Sequence, residues 1–422
     1  MRIAFTTFGC KINQYETDLL RQDFETRGDM IVPFDAEADV YIINTCSVTA
    51  KSDYQCRQTI KSTIRRGGGA KVVVTGCYAA TQPGEIRKIP GVDLVFDNSD
   101  KSKIPGQIMT SLDSGGSVIT SNAPATSVRR RTRGFLKIQD GCNNRCSYCI
   151  VPLARGNSRS VSPTDVIRDF ERLVADGSPE IVLTGIHIGT YGVDLPEQCD
   201  LTSLLVKLAE KRGSSRLRLS SIEPREITDK MIAMLGRGLC RHLHIPLQSG
   251  DDGVLRSMKR NYTSGFFLDL LERIAKQVPG VALGTDIMVG YPGEGDAEFE
   301  NTMRLVESSP LTHLHVFSYS PRPGTVAAAM KEQVSENVKK ERSEVLRDLG
   351  KRKNLDFRKS LVNIELKMVV ENKTDACSNL VSGLTDNYIR VHIPDVNSEY
   401  IGKEIAIRIK DANSEENLAT IL

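Results

Sequence analysis

Cys142, Cys146 and Cys149 stand in the stretch GCNNRCSYC, spaced C-x3-C-x2-C. Three thiolates on one short loop can hold three irons of a [4Fe–4S] cluster and leave the fourth iron open to another ligand. Zinc is the competing occupant. Closed zinc sites take four ligands, commonly two pairs spaced C-x2–4-C, and no second Cys or His pair follows at such a distance. The spacing therefore favours a cluster. A further set of thiols is dispersed: AFTTFGC ends on Cys10, YIINTC on Cys46 and VVVTGC on Cys77. Each preceding run reads as a buried strand. A lone cysteine in such a place is readily a small apolar filler. Three at equivalent strand ends, beside Gly9, Thr45 and Gly76, favour shared ligation instead. Cys56, Cys199, Cys240 and Cys377 lack such neighbours and read as structural or incidental.

These thiols need a scaffold, and the totals bound it. A chain of 422 residues, 40% hydrophobic and 26% charged, suits a soluble globular protein of two or three domains. Ten unevenly spaced cysteines suit metal or redox chemistry in a reducing compartment better than a disulfide framework. No leader pattern or membrane-length apolar run is evident, so a cytoplasmic protein is expected. The net charge of +3 is uninformative, but its distribution is not. The stretch 101–134 carries Lys101, Lys103, Arg129, Arg130, Arg131 and Arg133 against Asp113 alone.

Residues 1–112 alternate strand and helix, which implies an α/β domain with a parallel sheet. The C-terminal strand ends of such a sheet share one edge, and that edge carries ligands. Cys10, Cys46 and Cys77 can therefore converge. Residues 113–134 read as a basic linker. From 135 to 358 six strands, FLKIQD, EIVLTGIH, RLRLSSIEP, HLHIPLQS, LGTDIMVGYPG and HLHVFSYSP, alternate with helices. This pattern predicts a partial (β/α)6 TIM-like barrel with function at the C-terminal strand ends. Gly185 and Gly290 offer close backbone approach there, and Glu223, His244, Gln248 and Ser249 lie at the ends of strands three and four. All six have a plainer reading as turn glycines and satisfied rim groups. His313 and His315 alternate along a strand and read as packing. Residues 359–422 are mostly short strands, so a small C-terminal β-barrel is expected.

GCNNRCSYC, with Tyr148 before its last cysteine, resembles the radical S-adenosylmethionine superfamily. The resemblance implies that the open iron binds S-adenosylmethionine; Tyr148, Gly185, Glu223, His244, Gln248, Ser249 and Gly290 are the expected cofactor contacts, the last six from their places at strand ends. GCKINQYET, NTCSVT and TGCYA resemble the N-terminal domain of the methylthiotransferases, transferases of sulfur-containing groups. The likeness runs the whole chain through IVLTGIHIGTYG, RLSSIEP, HIPLQSGDDGVLRSMKRNYT, DIMVGYPGE and YSPRPGT, and 359–422 resembles a TRAM domain. It implies two [4Fe–4S] clusters, one on Cys142, Cys146 and Cys149 and one on Cys10, Cys46 and Cys77.

GCKINQYET most resembles the branch that adds a methylthio group to C2 of N6-threonylcarbamoyladenosine at position 37 of tRNA. Sister branches act on isopentenyladenosine 37 or on an aspartate of a ribosomal protein. A zinc-containing RNA-binding protein is the alternative outside enzymes. The implied partners are a tRNA anticodon stem-loop and an electron donor such as flavodoxin or ferredoxin. Because 360–422 is net acidic, phosphate contacts are expected from Arg129, Arg130, Arg131 and Arg133 and the helix at 339–359, with Tyr388 and Arg390 on the C-terminal barrel surface.

Overall fold

The computed structural model describes residues 1–113, 132–197, 199–374, 380–394, 398–413 and 417–422. Within these the chain forms two compact units. The first takes in residues 1–113, 140–158 and 320–328, the second 132–139, 159–319 and 329–422. The segments 140–158 and 320–328, which lie inside the continuous 135–358 span expected from sequence, thus belong with the N-terminal sheet.

In the first unit, β1 (Arg2–Thr7), β2 (Met30–Val32), β3 (Val40–Thr45), β4 (Lys71–Gly76) and β5 (Leu94–Val95) form one parallel sheet in the order β2-β1-β3-β4-β5. Helices α1 (Lys11–Thr26) and α2 (Ala50–Arg66) cover opposite faces. Ile3, Phe5, Val40, Ile42 and Val73 pack with Leu20 and Phe24, whereas Ile43, Val72 and Val74 pack with Cys56 and Ile60. Burial on both faces is why VYIINT and KVVVTG read as continuous apolar runs rather than alternating ones.

All six barrel strands expected from sequence are present in the second unit. They form two parallel three-stranded sheets. Arg133–Lys137, Glu180–Thr184 and Arg216–Leu219 make one; His242–His244, Ala282–Val289 and His313–Ser318 make the other. The Cys240 N–H to Leu217 O bond of 2.8 Å links them. Leu136, Ile181, Leu183, Leu217, Leu243, Leu283 and Ile287 face helix residues such as Val166, Phe170, Leu270 and Ile274. Helix Pro163–Ala175 begins as its sequence implies: Ser162 accepts from the Asp165 N–H at 3.1 Å, with proline in the first turn.

Side chains alternate along a strand, so the opposite face carries Glu180, Arg216, Arg218, His242, His244, Asp286 and His315. Residues 365–421 close a five-stranded barrel, Glu365–Thr374, Leu380–Thr385, Arg390–Pro394, Asn417–Ile421 and Glu404–Ala412. Its turn Thr385–Tyr388 plugs the polar face of the six-stranded half. Arg218 donates to the Thr385 and Asp386 carbonyls at 2.9 and 3.1 Å, and Asn387 donates to the Gly280 carbonyl at 3.1 Å. No helix among the described residues is long and apolar enough to cross a membrane.

Candidate metal centres

Three adjacent strands, β1, β3 and β4, deliver Cys10, Cys46 and Cys77 to one sheet edge. Cys10 caps α1, Cys46 follows β3, and Cys77 opens α3 (Cys77–Thr81). Two glycines measure how closely the ends approach. A Cβ on Gly9 would sit 2.8 Å from the Cys46 sulfur; on Gly76 it would sit 2.3 Å from the Thr45 carbonyl oxygen. Both glycines hold positive φ, +92° and +99°, which other residues reach only under strain. The Cys46 thiol is pushed above its usual range by burial, against the Val48 backbone N–H, and the Cys77 and Cys10 thiols add to the rise. The Cys10 and Cys77 sulfurs are therefore both within electrostatic reach of Cys46. A metal at this point would reverse the effect by holding them as thiolates.

Cys142, Cys146 and Cys149 occupy a folded loop in the same unit. The Cys149 N–H donates to Cys146 O at 3.0 Å and the Asn144 N–H reaches the Cys142 sulfur at 3.4 Å. Gly141 (φ +70°) admits no side chain, since a Cβ would fall 2.0 Å from Asn157 O. Both sets supply three thiols on glycine-shaped backbone, the donor number and chemistry a [4Fe–4S] cluster with one open iron requires. Among the described residues no cysteine is in a disulfide.

Sequence reasoning missed the residues that tie the two sets together. The short helix Val151–Arg155, just after Cys149, packs on α3. Asn98 Nδ2 donates to Ala154 O at 2.8 Å and approaches Cys77 Sγ at 3.7 Å. Arg155, buried, donates to Glu16 at 2.9 and 3.1 Å, to Asn13 Oδ1 at 2.6 Å and to Asp140 at 3.0 Å. Lys101 pairs with the same Glu16, and Asn13 donates to the Phe8 and Thr45 carbonyls at 2.8 and 3.0 Å. Two cations face two carboxylates, so the buried network is balanced. Arg322 plays a similar part on the other side of Cys46, reaching Ser47 Oγ at 3.0 Å and pairing with Asp53. One signal was available: Asn13, Glu16 and Thr17 share the helix face of Leu20 and Phe24, where apolar residues are the rule.

The other expected residues divide. Tyr148 is half-buried in the cysteine loop of the first unit; Gly185, Glu223, His244, Gln248, Ser249 and Gly290 are in the second. Gln248 holds φ +69°, its backbone brackets Asp286 and Met288 at 2.8 and 2.9 Å, and its buried Oε1 is unpartnered. That atom suits a ligand. Glu223 pairs with Arg260; burial lifts its carboxyl above the usual range and Arg260 opposes the rise. Ser249 Oγ instead accepts from the Asp251 N–H at 3.2 Å, an internal cap, and a Cβ on Gly290 would meet Lys339 at 2.3 Å. His313 packs as expected, but His315 does not: its ring is 59% exposed and faces Asp286.

Two RNA expectations need correction. Tyr388 is not an open surface platform. Its ring stacks on His242 with centroids 4.2 Å apart, under Arg218 at 5.1 Å, because the turn that carries it fills the polar face of the six strands. Arg133 is already engaged by Glu371 at 3.0 Å and Glu180 at 3.4 Å. Arg390 is partly exposed but bonded to Glu371 at 2.9 Å. Arg129, Arg130 and Arg131, like Cys377, lie outside the described residues. Cys56 and Cys240 are buried core thiols, pushed up to about 12 and about 11 chiefly by burial.

Comparison with known proteins sharpens the picture. The model of the radical SAM superfamily matches residues 136–306, and that of an uncharacterized protein family, UPF0004, matches 2–97. The threonylcarbamoyladenosine tRNA methylthiotransferase MtaB of Bacillus subtilis is 40% identical, covering 98% of this chain and 95% of its own. That of Thermotoga maritima is 35% identical with the same coverage. A tRNA-2-methylthio-N(6)-dimethylallyladenosine synthase of Saccharopolyspora erythraea is 33% identical, covering 92% of this chain and 83% of its own. Among solved structures the radical S-adenosylmethionine methyltransferase TsrM of Kitasatospora setae superposes with a TM-score of 0.59 at 16% identity, covering 78% and 76% of the two chains. That likeness is one of fold.

Proposed function

This chain belongs to the radical S-adenosylmethionine tRNA methylthiotransferases, and from that premise we propose that it adds a methylthio group to C2 of N6-threonylcarbamoyladenosine at position 37 of tRNA. The observation that carries the reading is the presence of two three-thiol sets in one compact unit, each one ligand short of closing a cluster. The identities of 40% and 35% to threonylcarbamoyladenosine enzymes favour that branch.

With a [4Fe–4S] cluster at each set and S-adenosylmethionine bound, the two centres supply one-electron chemistry for a C–H bond that no base can ionise, and a sulfur to replace its hydrogen. The chain's own residues position these centres. Cys142, Cys146 and Cys149 ligate one cluster and Cys10, Cys46 and Cys77 the other. Glu16, Arg155 and Asn98 hold the two loops in fixed register. In the second unit, the buried and unpartnered Oε1 of Gln248 would suit a polar ligand. Position 37 lies in the anticodon stem-loop, single-stranded, where a base can be splayed out for reaction. A flavodoxin- or ferredoxin-type donor supplies the electron, and the tRNA substrate implies work in the cytoplasm.

The test is direct. Anaerobically reconstituted enzyme is given tRNA carrying either threonylcarbamoyladenosine or dimethylallyladenosine, and the nucleosides are read by mass spectrometry. A 2-methylthio product on the first is expected. Product on the second alone overturns the branch, and product on neither overturns the activity.

The basic run contributes binding rather than chemistry. Reversing Arg129, Arg130 and Arg131 to Glu is expected to weaken tRNA binding. The slope of log K against log salt should flatten by about 0.7–0.9 for each phosphate that the protein no longer neutralises. Unchanged affinity and slope would remove those arginines from the interface.

A further inference from the structure

A separate donor cluster lies within the second unit. The parallel register sets Asp286 opposite His315 on one side, and His244 opposite Gly284 on the other. All three side chains point to the same face. His244 Nε2 is 3.0 Å and His315 Nδ1 3.4 Å from the same Asp286 Oδ1, and the three donor atoms lie within 4.8 Å of one another. Gly284 makes this possible, since a Cβ there would stand 2.9 Å from His244 Nδ1.

We propose that His244, Asp286 and His315 bind one divalent transition-metal cation of the zinc or ferrous-iron type. Metal bonds of about 2.0–2.2 Å at tetrahedral angles place donors roughly 3.3 Å apart; the two histidine–Asp286 distances bracket that separation, and the two histidine donors lie within 4.8 Å of each other. Two imidazoles and one carboxylate are a borderline-metal donor set that leaves coordination corners open. The donors stand on three strands of one sheet rather than on loops, so the geometry is held by the backbone ladder. A hydrogen-bonded triad serving packing alone would bury its members. His315 is 59% exposed, leaving the open corners accessible to water or to an oxygen of a bound molecule.

The test uses the reconstituted holoenzyme with its iron complement intact. Zinc is added at one equivalent, loosely held metal is stripped on a chelating resin, and zinc and iron per chain are counted by elemental analysis. About one retained zinc is expected, and its X-ray absorption edge should report a nitrogen and oxygen shell near 2.0–2.1 Å without sulfur near 2.3 Å. His315→Ala, whose open ring can be removed without disturbing the core, should lower zinc affinity at least about tenfold. His244→Ala and Asp286→Asn should do the same, with iron content and circular dichroism unchanged in His315→Ala. Equal zinc in the parent and His315→Ala, a sulfur shell, or no retained zinc would overturn the site. None of these readouts depends on methylthiolation, so failure here leaves the enzymatic reading standing.

Discussion

Cys77→Ala is expected to halve the iron content, from about eight to about four per chain, and to abolish methylthiolation while S-adenosylmethionine cleavage survives. The asymmetry follows from where each thiol comes from. Cys77 opens α3 at the end of β4 and shares its edge with Cys10 and Cys46, whereas Cys142, Cys146 and Cys149 are contiguous in a loop with its own hydrogen bonds. Removing one ligand of the dispersed set leaves two thiols, too few to hold a cubane. The contiguous set keeps all three. Iron analysis, the visible spectrum and separate assays of 5′-deoxyadenosine and methylthiolated nucleoside measure the outcome. Loss of both iron centres, or of neither, would show that the six cysteines do not form two independent sets.

Glu180→Ala should be the most damaging single change to stability outside the cysteines. Glu180 is completely buried and accepts from Arg216 Nε at 2.6 Å and from Arg218 Nε and Nη2 at 2.9 and 2.8 Å. Arg218 is itself buried, and its remaining N–H groups go to carbonyls of the Thr385–Tyr388 turn. Deleting the carboxylate strands a guanidinium that cannot lose its proton, at a cost of about 3–5 kcal/mol. In thermal unfolding followed by circular dichroism this corresponds to a drop on the order of 10 °C. Glu180→Gln keeps an acceptor without the charge and should fall between.

The sign with pH is also determined. Burial alone would raise the Glu180 carboxyl, but Arg218, Arg216 and Arg133 outweigh it and hold it well below the usual carboxylate range. A depressed folded value stabilises above the unfolded value of about 4.5. The contribution shrinks as pH falls from there towards the folded value. The gap between the parent and Glu180→Gln should therefore narrow in acid. A gap that widens, or a Glu180→Ala protein as stable as its parent, would contradict the buried-pair account.

Much of this molecule is legible from local pattern. Strand runs such as VVVTG declare themselves because burial on both faces demands apolar residues throughout. Ser162-Pro163 marks a helix start because the cap joins near neighbours. The C-terminal barrel is legible in kind, but two of its five strands, Leu380–Thr385 and Asn417–Ile421, carry too few apolar residues in alternation to stand out. Less legible are the pairs between residues far apart in sequence. Arg155 meets Glu16, Arg322 meets Asp53, and His315 meets Asp286, and nothing in the local stretch around either partner announces the other. Tyr388 shows the same limit: DNYIRV has the composition of an exposed nucleic-acid platform, but the turn carrying it is occupied inside the second unit.

The sequence by itself determined the kind of chemistry, since thiol number, spacing and position at strand ends are properties of order along the chain. Only the tertiary structure decided which charges are already spent and which donors face one another. Whether Arg133 is a phosphate ligand or the partner of Glu371, and whether His315 is packing or a metal donor, depends on side chains brought within a few ångströms by the sheet register. Coulomb and hydrogen-bond energies fall off over just those distances, so they are set by folding and leave no periodic trace in the linear order of residues.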